Sequence, residues 1–278
     1  MNNAEHTIRK FNRFELKYVI TLKQTEQFKV SLRKFMVPDF HSSNGQYQLS
    51  SLYYDSPDLR CYHEKESGLR FRRKLRIRHY ETVETLAEQS PVFVEIKQRV
   101  DRVTQKRREV LSYGDALRLC NDRQMPASPE QQPFIDEAYV FLWQYNLRPT
   151  SIVRYNRQAF NGTEYDPGLR VTFDTDLMFQ PNQLRLHENA STLPILPPGQ
   201  AVMEIKVNER IPIWLSGMIA DHNLELKRIS KYCRSIEAAR ETTALQLRWL
   251  PVESSEDVLS STLSVFSTLK QRMGIQSL

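Results

Sequence analysis

One unit recurs at widely separated points of the chain: Glu15-x-Lys17, Glu95-x-Lys97 and Glu204-x-Lys206. Each sits inside a stretch that alternates apolar and charged residues. The alternation runs through Phe14-Glu15-Leu16-Lys17-Tyr18-Val19, Leu75-Arg76-Ile77-Arg78 and Val92-Phe93-Val94-Glu95-Ile96-Lys97. It returns in Ser151-Ile152-Val153-Arg154-Tyr155-Asn156-Arg157, in Gly168-Leu169-Arg170-Val171-Thr172-Phe173-Asp174 and in Val202-Met203-Glu204-Ile205-Lys206-Val207. Successive strand side chains point to opposite faces, so a period of two predicts half-buried strands. It also puts the Glu and Lys of each unit on one face, and groups Arg76 with Arg78, Tyr155 with Arg157, and Arg170 with Thr172 and Asp174. Two more strands are expected at 48–54 and 105–111. Once paired, these strands merge their charged faces into one surface.

Helices are expected between the strands. Thr21 is placed to cap a helix running towards Phe35, and Pro57 to open one after Asp55-Ser56. Phe134, Ala138, Phe141 and Leu142 have helical spacing, and 211–222 and 230–247 read as helices. Leu259, Leu263, Phe266 and Met273 give the Ser-rich end the same spacing. The expected division is one domain over 1–250 and a C-terminal helix or tail over 251–278, packed on the chain itself or docking a partner or a membrane surface.

A solvated outer face would mix in Thr, Ser and Gln; this face concentrates Arg and Lys. If the strands instead curl with the charged face inwards, the apolar faces point out and the helices cover them. A barrel of about eight strands has room for a small ligand. Crowded cations inside it are costly when the cavity is empty and are relieved by a polyanion. Arg and Lys match phosphate oxygens through charge-assisted hydrogen bonds. Carboxylates in such a basic cavity make sense as ligands for Mg²⁺ or Mn²⁺, hard cations that take oxygen donors and bridge phosphates. The net charge of +6 over 278 residues agrees with an anionic partner. The fold class expected is α+β: a closed antiparallel β-barrel with a charged interior and helices packed outside.

The three cysteines, Cys61, Cys120 and Cys233, form no zinc or disulfide pattern and read as reduced thiols. No leader-like segment and no apolar run of membrane length is visible, so a cytoplasmic protein without an integral membrane segment is expected.

In order, Arg13-Phe14-Glu15-Leu16-Lys17-Tyr18, Leu52-Tyr53-Tyr54-Asp55-Ser56-Pro57, Lys74-Leu75-Arg76-Ile77-Arg78, Val94-Glu95-Ile96-Lys97, Tyr155-Asn156-Arg157, Met203-Glu204-Ile205-Lys206 and Ser230-Lys231-Tyr232 resemble the motifs of the VTC domain. This is the polyphosphate polymerase domain of the vacuolar transporter chaperone complex, a triphosphate tunnel metalloenzyme. The resemblance implies transfer of the γ-phosphate of ATP, or another nucleoside triphosphate, onto polyphosphate, with orthophosphate or pyrophosphate as smaller phosphate partners. It implies catalytic roles for Lys17, Arg76, Arg78, Lys97 and Lys231, and phosphate contacts from Lys106, Arg108, Tyr155, Arg157, Arg170, Lys206 and Ser230. Glu204 becomes the principal ligand of Mn²⁺ or Mg²⁺, with Glu95 and Glu15 as further ligands. Hydrolytic relatives open with Glu-x-Glu-x-Lys; Arg13 at the first position favours the polymerase branch.

Two alternatives remain on sequence grounds. One is a tripolyphosphatase or nucleoside triphosphatase of the same fold. The other is a non-catalytic polyanion-binding module. A nucleic-acid reader has no need of acidic groups within its basic face, so no nucleic-acid partner is expected.

Overall fold

The structure is a computed structural model that describes residues 14–40, 45–80, 86–101, 103–127, 130, 132–188 and 190–249. Two units result, one ending at Ala238 and one beginning at Ala239. The sheet belongs to the first. In the second, the described residues continue a helix to Trp249. The tail expected from 251 and the Arg13 position lie outside the described residues.

Ten strands form one antiparallel sheet. They are β1 (Phe14–Thr21), β2 (Met36–Pro38), β3 (Gln46–Asp55), β4 (Phe71–His79), β5 (Pro91–Val100), β6 (Val103–Ser112), β7 (Arg148–Gly162), β8 (Arg170–Gln180), β9 (Leu193–Pro194) and β10 (Gln200–Val207). The lateral order is β1-β10-β8-β7-β3-β4-β5-β6, with β2 beside β7 and β9 beside β8. Every expected strand is present.

The expected closed barrel is not. Strands β1 and β6 end the order and are not paired with each other. The reason is legible in β6, which exposes Gln105, Lys106, Arg107 and Arg108 in succession. A charged edge strand is a poor partner for further backbone pairing. Side chains bridge part of the gap instead: Lys97 Nζ on β5 lies 2.7 Å from Glu15 Oε2 on β1.

The apolar face is outermost, as the alternation implies. Leu75, Ile77, Val92, Val94 and Ile96 are buried with Phe134, Ile135, Ala138, Phe141 and Leu142 of helix α4 (Gln132–Gln144). Tyr18, Phe160, Val171, Phe173, Met203 and Ile205 are buried with Phe28 and Leu32 of α1 (Leu22–Leu32) and Leu215 of α5 (Ile213–Asp221). Each element thus carries one apolar face, and two layers bury it. The first helix starts where its cap predicts: Thr21 Oγ1 accepts from Gln24 N–H, and Gln24 Oε1 accepts from Thr21 N–H.

The helix expected at Pro57 starts later. Helix α2 (Arg60–Glu66) follows Leu59, whose φ is 56°. The cause is Asp55, whose carboxylate draws in the N–H groups of Ser56, Cys61 and Tyr62 and folds the intervening residues into a turn. Helix α3 (Tyr113–Leu117) with the π-helical turn Arg118–Asp122, and strands β2 and β9, add to the expected elements. Helix α6 (Lys231–Trp249) begins beside the charged face. All three cysteines are free and buried.

Candidate active site

Strand register decides which side chains share the inner face. On β1 and β10, Lys17 is opposite Glu204 and Glu15 opposite Lys206. Next, Glu204 meets Thr172, Lys206 meets Arg170, and Val202 meets Asp174 on β8. Arg157 on β7 is opposite Asp174, and Tyr47 on β3 is opposite Arg157. Tyr53 leads to Arg76 on β4, Arg76 to Glu95 on β5, and Glu95 to Arg108 on β6. One rung further along β4, Lys74 faces Lys97, which faces Lys106; the rung after that pairs Arg72 with Arg99. Like charges directly opposite are destabilising, so these two rungs call for an anion.

The inner face bounds a cavity of about 1310 Å³ whose wall carries fourteen Lys and Arg against four Asp and Glu. The acids that line the wall do not match that excess. Ion pairs organise it. Arg76 grips Glu95 Oε2 through Nε (2.8 Å) and Nη2 (2.6 Å), and its Nη1 donates to Tyr53 Oη at 3.0 Å. Arg78 donates to Ser51 Oγ and Tyr155 Oη. Asp174, fully buried, holds Arg157 with both oxygens, at 2.6 and 2.8 Å. Lys231 at the start of α6 reaches Asp174 Oδ2 at 2.6 Å and Glu204 Oε1 at 2.7 Å. Lys17 lies 3.2 Å from Glu15 Oε1 and 3.5 Å from Glu204 Oε1. Lys74 donates to Ser230 Oγ at 2.9 Å.

These contacts set the protonation states. Burial works against the charged form of Glu204, but Lys231, Lys17, Lys206 and Arg157 outweigh it and hold the carboxyl well below its ordinary range. Glu15 is held low in the same way by Lys17 and Lys97, and Glu95 by Arg76, Arg78 and Lys106. Burial, helped by the neighbouring Lys17, lowers Lys97 even beside Glu15. Lys206 is pulled down furthest, to about 7, by burial that Glu204 and Glu15 only partly offset. Burial raises Tyr53, yet Arg76 and Arg78 bring it down to about 8.

Most of the residues expected from the sequence meet here. Glu15, Lys17, Arg76, Arg78, Lys97, Tyr155, Arg157, Glu204, Lys206, Ser230 and Lys231 all line the cavity. Four do not. Glu95 is 1% exposed, behind Arg76 and Lys106. Lys106 is drawn to Glu95, and the guanidinium of Arg108 lies 4.5 Å from the Phe93 ring. Arg170 turns to Asp39 at 2.5 Å, Asn161 and Tyr47, an arrangement that ties the segment after β2 to the sheet. Arg72, Lys74, Arg99 and Tyr53 also line the cavity, and Asp174 anchors Lys231; none of the five is among the site residues expected from the sequence. Lys74 and Arg72 carried a signal, since they continue the period of two from Arg76.

A divalent metal finds a partial set of protein donors. Among the described residues no three His, Cys, Asp or Glu side chains form a metal-binding group. Glu15 and Glu204 do converge on Lys17. Two carboxylates, completed by phosphate oxygens and water, are the donor set that suits Mg²⁺ arriving with a phosphorylated substrate. Glu95 is engaged by Arg76 and Lys106.

The fold and site together define a class: a curled antiparallel sheet whose inner face is a cationic, carboxylate-studded cavity. The chain belongs to the VTC domain family, whose pattern matches residues 12–258. It is similar to vacuolar transporter chaperone complex subunit 4 of Trypanosoma brucei brucei (strain 927/4 GUTat10.1), with 26% identity over 266 residues, covering 82% of this chain and 33% of that protein. The chain thus spans about a third of that relative's length. Among solved structures it is similar to a Bacillus halodurans protein proposed to be an adenylate cyclase (TM-score 0.47, 12% identity, 78% of this chain and 92% of that one). It is also similar to a Hippeastrum protein described as having a dominant triphosphatase activity (TM-score 0.47, 14% identity, with the same coverage of each chain). Among the described residues no helix is long and apolar enough to cross a membrane.

Proposed function

We propose that the chain is a metal-dependent polyphosphate polymerase that transfers the γ-phosphate of ATP onto a growing polyphosphate chain. Membership of the VTC domain family supports this reading. The observation that carries it is the cavity wall, where fourteen Lys and Arg side chains outnumber four carboxylates and the surplus runs along the strands as stripes. On β4 alone, Arg78, Arg76, Lys74 and Arg72 line the wall at every second residue. At about 3.4 Å per residue that stripe is about 20 Å long. A linear polyanion fits it.

Phosphoryl transfer needs positioning and charge neutralisation more than covalent help from the protein. Arg76 and Arg78 are pre-oriented by Glu95, Ser51 and Tyr155, so their remaining N–H groups are aimed before a phosphate arrives. Lys231, fixed between Asp174 and Glu204, and Arg157, fixed by Asp174, bring further positive charge to the cavity. Glu204 and Glu15 are the groups to hold Mn²⁺ or Mg²⁺, which supplies charge neutralisation at the phosphoryl oxygens. A terminal phosphate oxygen is already ionised near neutral pH, so the nucleophile needs no dedicated base.

Substituting Glu204 tests the assignment. Glu204→Gln is expected to lose on the order of 10²-fold in ATP turnover while keeping its circular dichroism spectrum and its binding of tripolyphosphate. Full turnover in that variant would remove Glu204 from the mechanism.

A further inference from the structure

Two segments far apart in sequence, Asp55-Ser56-Pro57 and Ser230-Lys231-Tyr232, meet at a buried hydrogen bond. Tyr232 Oη donates to Asp55 Oδ2 at 2.5 Å. Asp55 is fully buried at the end of β3, and Tyr232 is 1% exposed. A buried carboxylate is ordinarily balanced by a cation. The hydrogen bonds to Asp55 among the described residues instead come from neutral donors, chiefly the N–H groups of Ser56, Cys61 and Tyr62. Such an arrangement is costly to build and holds the carboxylate in one place. Burial, reinforced by Asp55, pushes the Tyr232 hydroxyl far up, so it stays a donor.

The consequences reach the cavity from both sides of Tyr232. Its neighbour Lys231 is the ammonium held between Glu204 and Asp174, and Ser230 receives Lys74. Its ring stacks on Tyr53 with centroids 5.2 Å apart, and Tyr53 receives Arg76. Neither Asp55 nor Tyr232 lines the cavity.

We propose that the Asp55–Tyr232 pair is a latch that positions Lys231 against the bound phosphoryl groups. Both members are positioning residues, and the proposal rests on the phosphoryl-transfer reading above. Tyr232→Phe keeps the ring and its stacking but removes the latch. A double-mutant cycle with Lys231→Gln separates positioning from general stability. Tyr232→Phe is expected to lower kcat/KM for ATP about tenfold in the wild-type background, since small misplacements of a positioned group are costly in rate. In the Lys231→Gln background its further effect should be under about twofold. Ser151→Ala is the control: it removes the Ser151–Ser235 bond that anchors the same helix one turn on, and should lower Tm with kcat/KM unchanged.

Losses that multiply in the double variant would reduce the pair to a stability role and overturn the proposal. So would an unaltered Tyr232→Phe, or a Ser151→Ala variant equally impaired in kcat/KM. A wild-type protein that neither binds tripolyphosphate in calorimetry nor consumes ATP would overturn the functional reading, and the latch with it.

Discussion

At the residue scale the site is a set of cations held apart by a few carboxylates, and removing either kind has a calculable sign. Lys206 is the clearest case. With its pKa brought down to about 7, most of it is neutral at pH 8. A bound polyanion favours the ammonium form and raises that pKa. Binding of tripolyphosphate at pH 8 should therefore take up about one proton, read as a dependence of the calorimetric enthalpy on the buffer's ionisation enthalpy. In Lys206→Met the uptake should vanish; if it persists, another group titrates. Asp174 is the opposite case. It is a fully buried carboxylate serving Arg157 and Lys231 together. Asp174→Asn leaves two cations short of charge and should cost about 3–5 kcal/mol, visible as a shifted urea midpoint. That Asp174 lies on the charged face follows from its place in Arg170-Val171-Thr172-Phe173-Asp174. That it anchors Lys231 does not, because the lysine comes from a helix outside the sheet.

At the scale of elements, the period of two was enough to name the strands and to sort their faces, because one face of each strand is buried and the register is therefore fixed. Helix α1 was legible from its cap and α4 from its apolar spacing. What alternation does not encode is where backbone pairing stops. The gap between β1 and β6 depends on the edge character of β6, and its bridging by Glu15 and Lys97 depends on curvature. Arg170 has a partner that no local pattern announces: Asp39 lies 131 residues away in sequence. The pair ties a loop to the sheet, so its loss belongs to stability. Arg170→Met should lower Tm by several degrees and leave kcat/KM for ATP within about twofold. A loss of turnover without a loss of Tm would return Arg170 to the phosphate ligands.

At the scale of the whole molecule, acid stability and ligand stabilisation report the same charge balance. Glu15, Glu95, Asp174 and Glu204 are all held below their ordinary range by neighbouring cations, against the effect of burial. Groups with a depressed folded pKa add stability above their unfolded pKa, about 4, and that contribution is lost as pH falls through the folded value. Tm should hold from neutrality to about pH 5 and fall steeply below about pH 4. The cationic surplus predicts the response to ligand: tripolyphosphate at 100 times its Kd should add about 2.7 kcal/mol, raising Tm by several degrees, with the gain shrinking as salt screens the charges.

The central claim is transfer of a phosphoryl group to a chain rather than to water. The most direct measurement uses ATP labelled at the γ-phosphate, a short unlabelled polyphosphate primer and Mn²⁺ or Mg²⁺, with the products resolved by length on a gel. Polymerisation predicts label in a ladder longer than the primer, formed on the order of 10²-fold more slowly with Glu204→Gln. Label confined to orthophosphate, with the primer unextended, would contradict it.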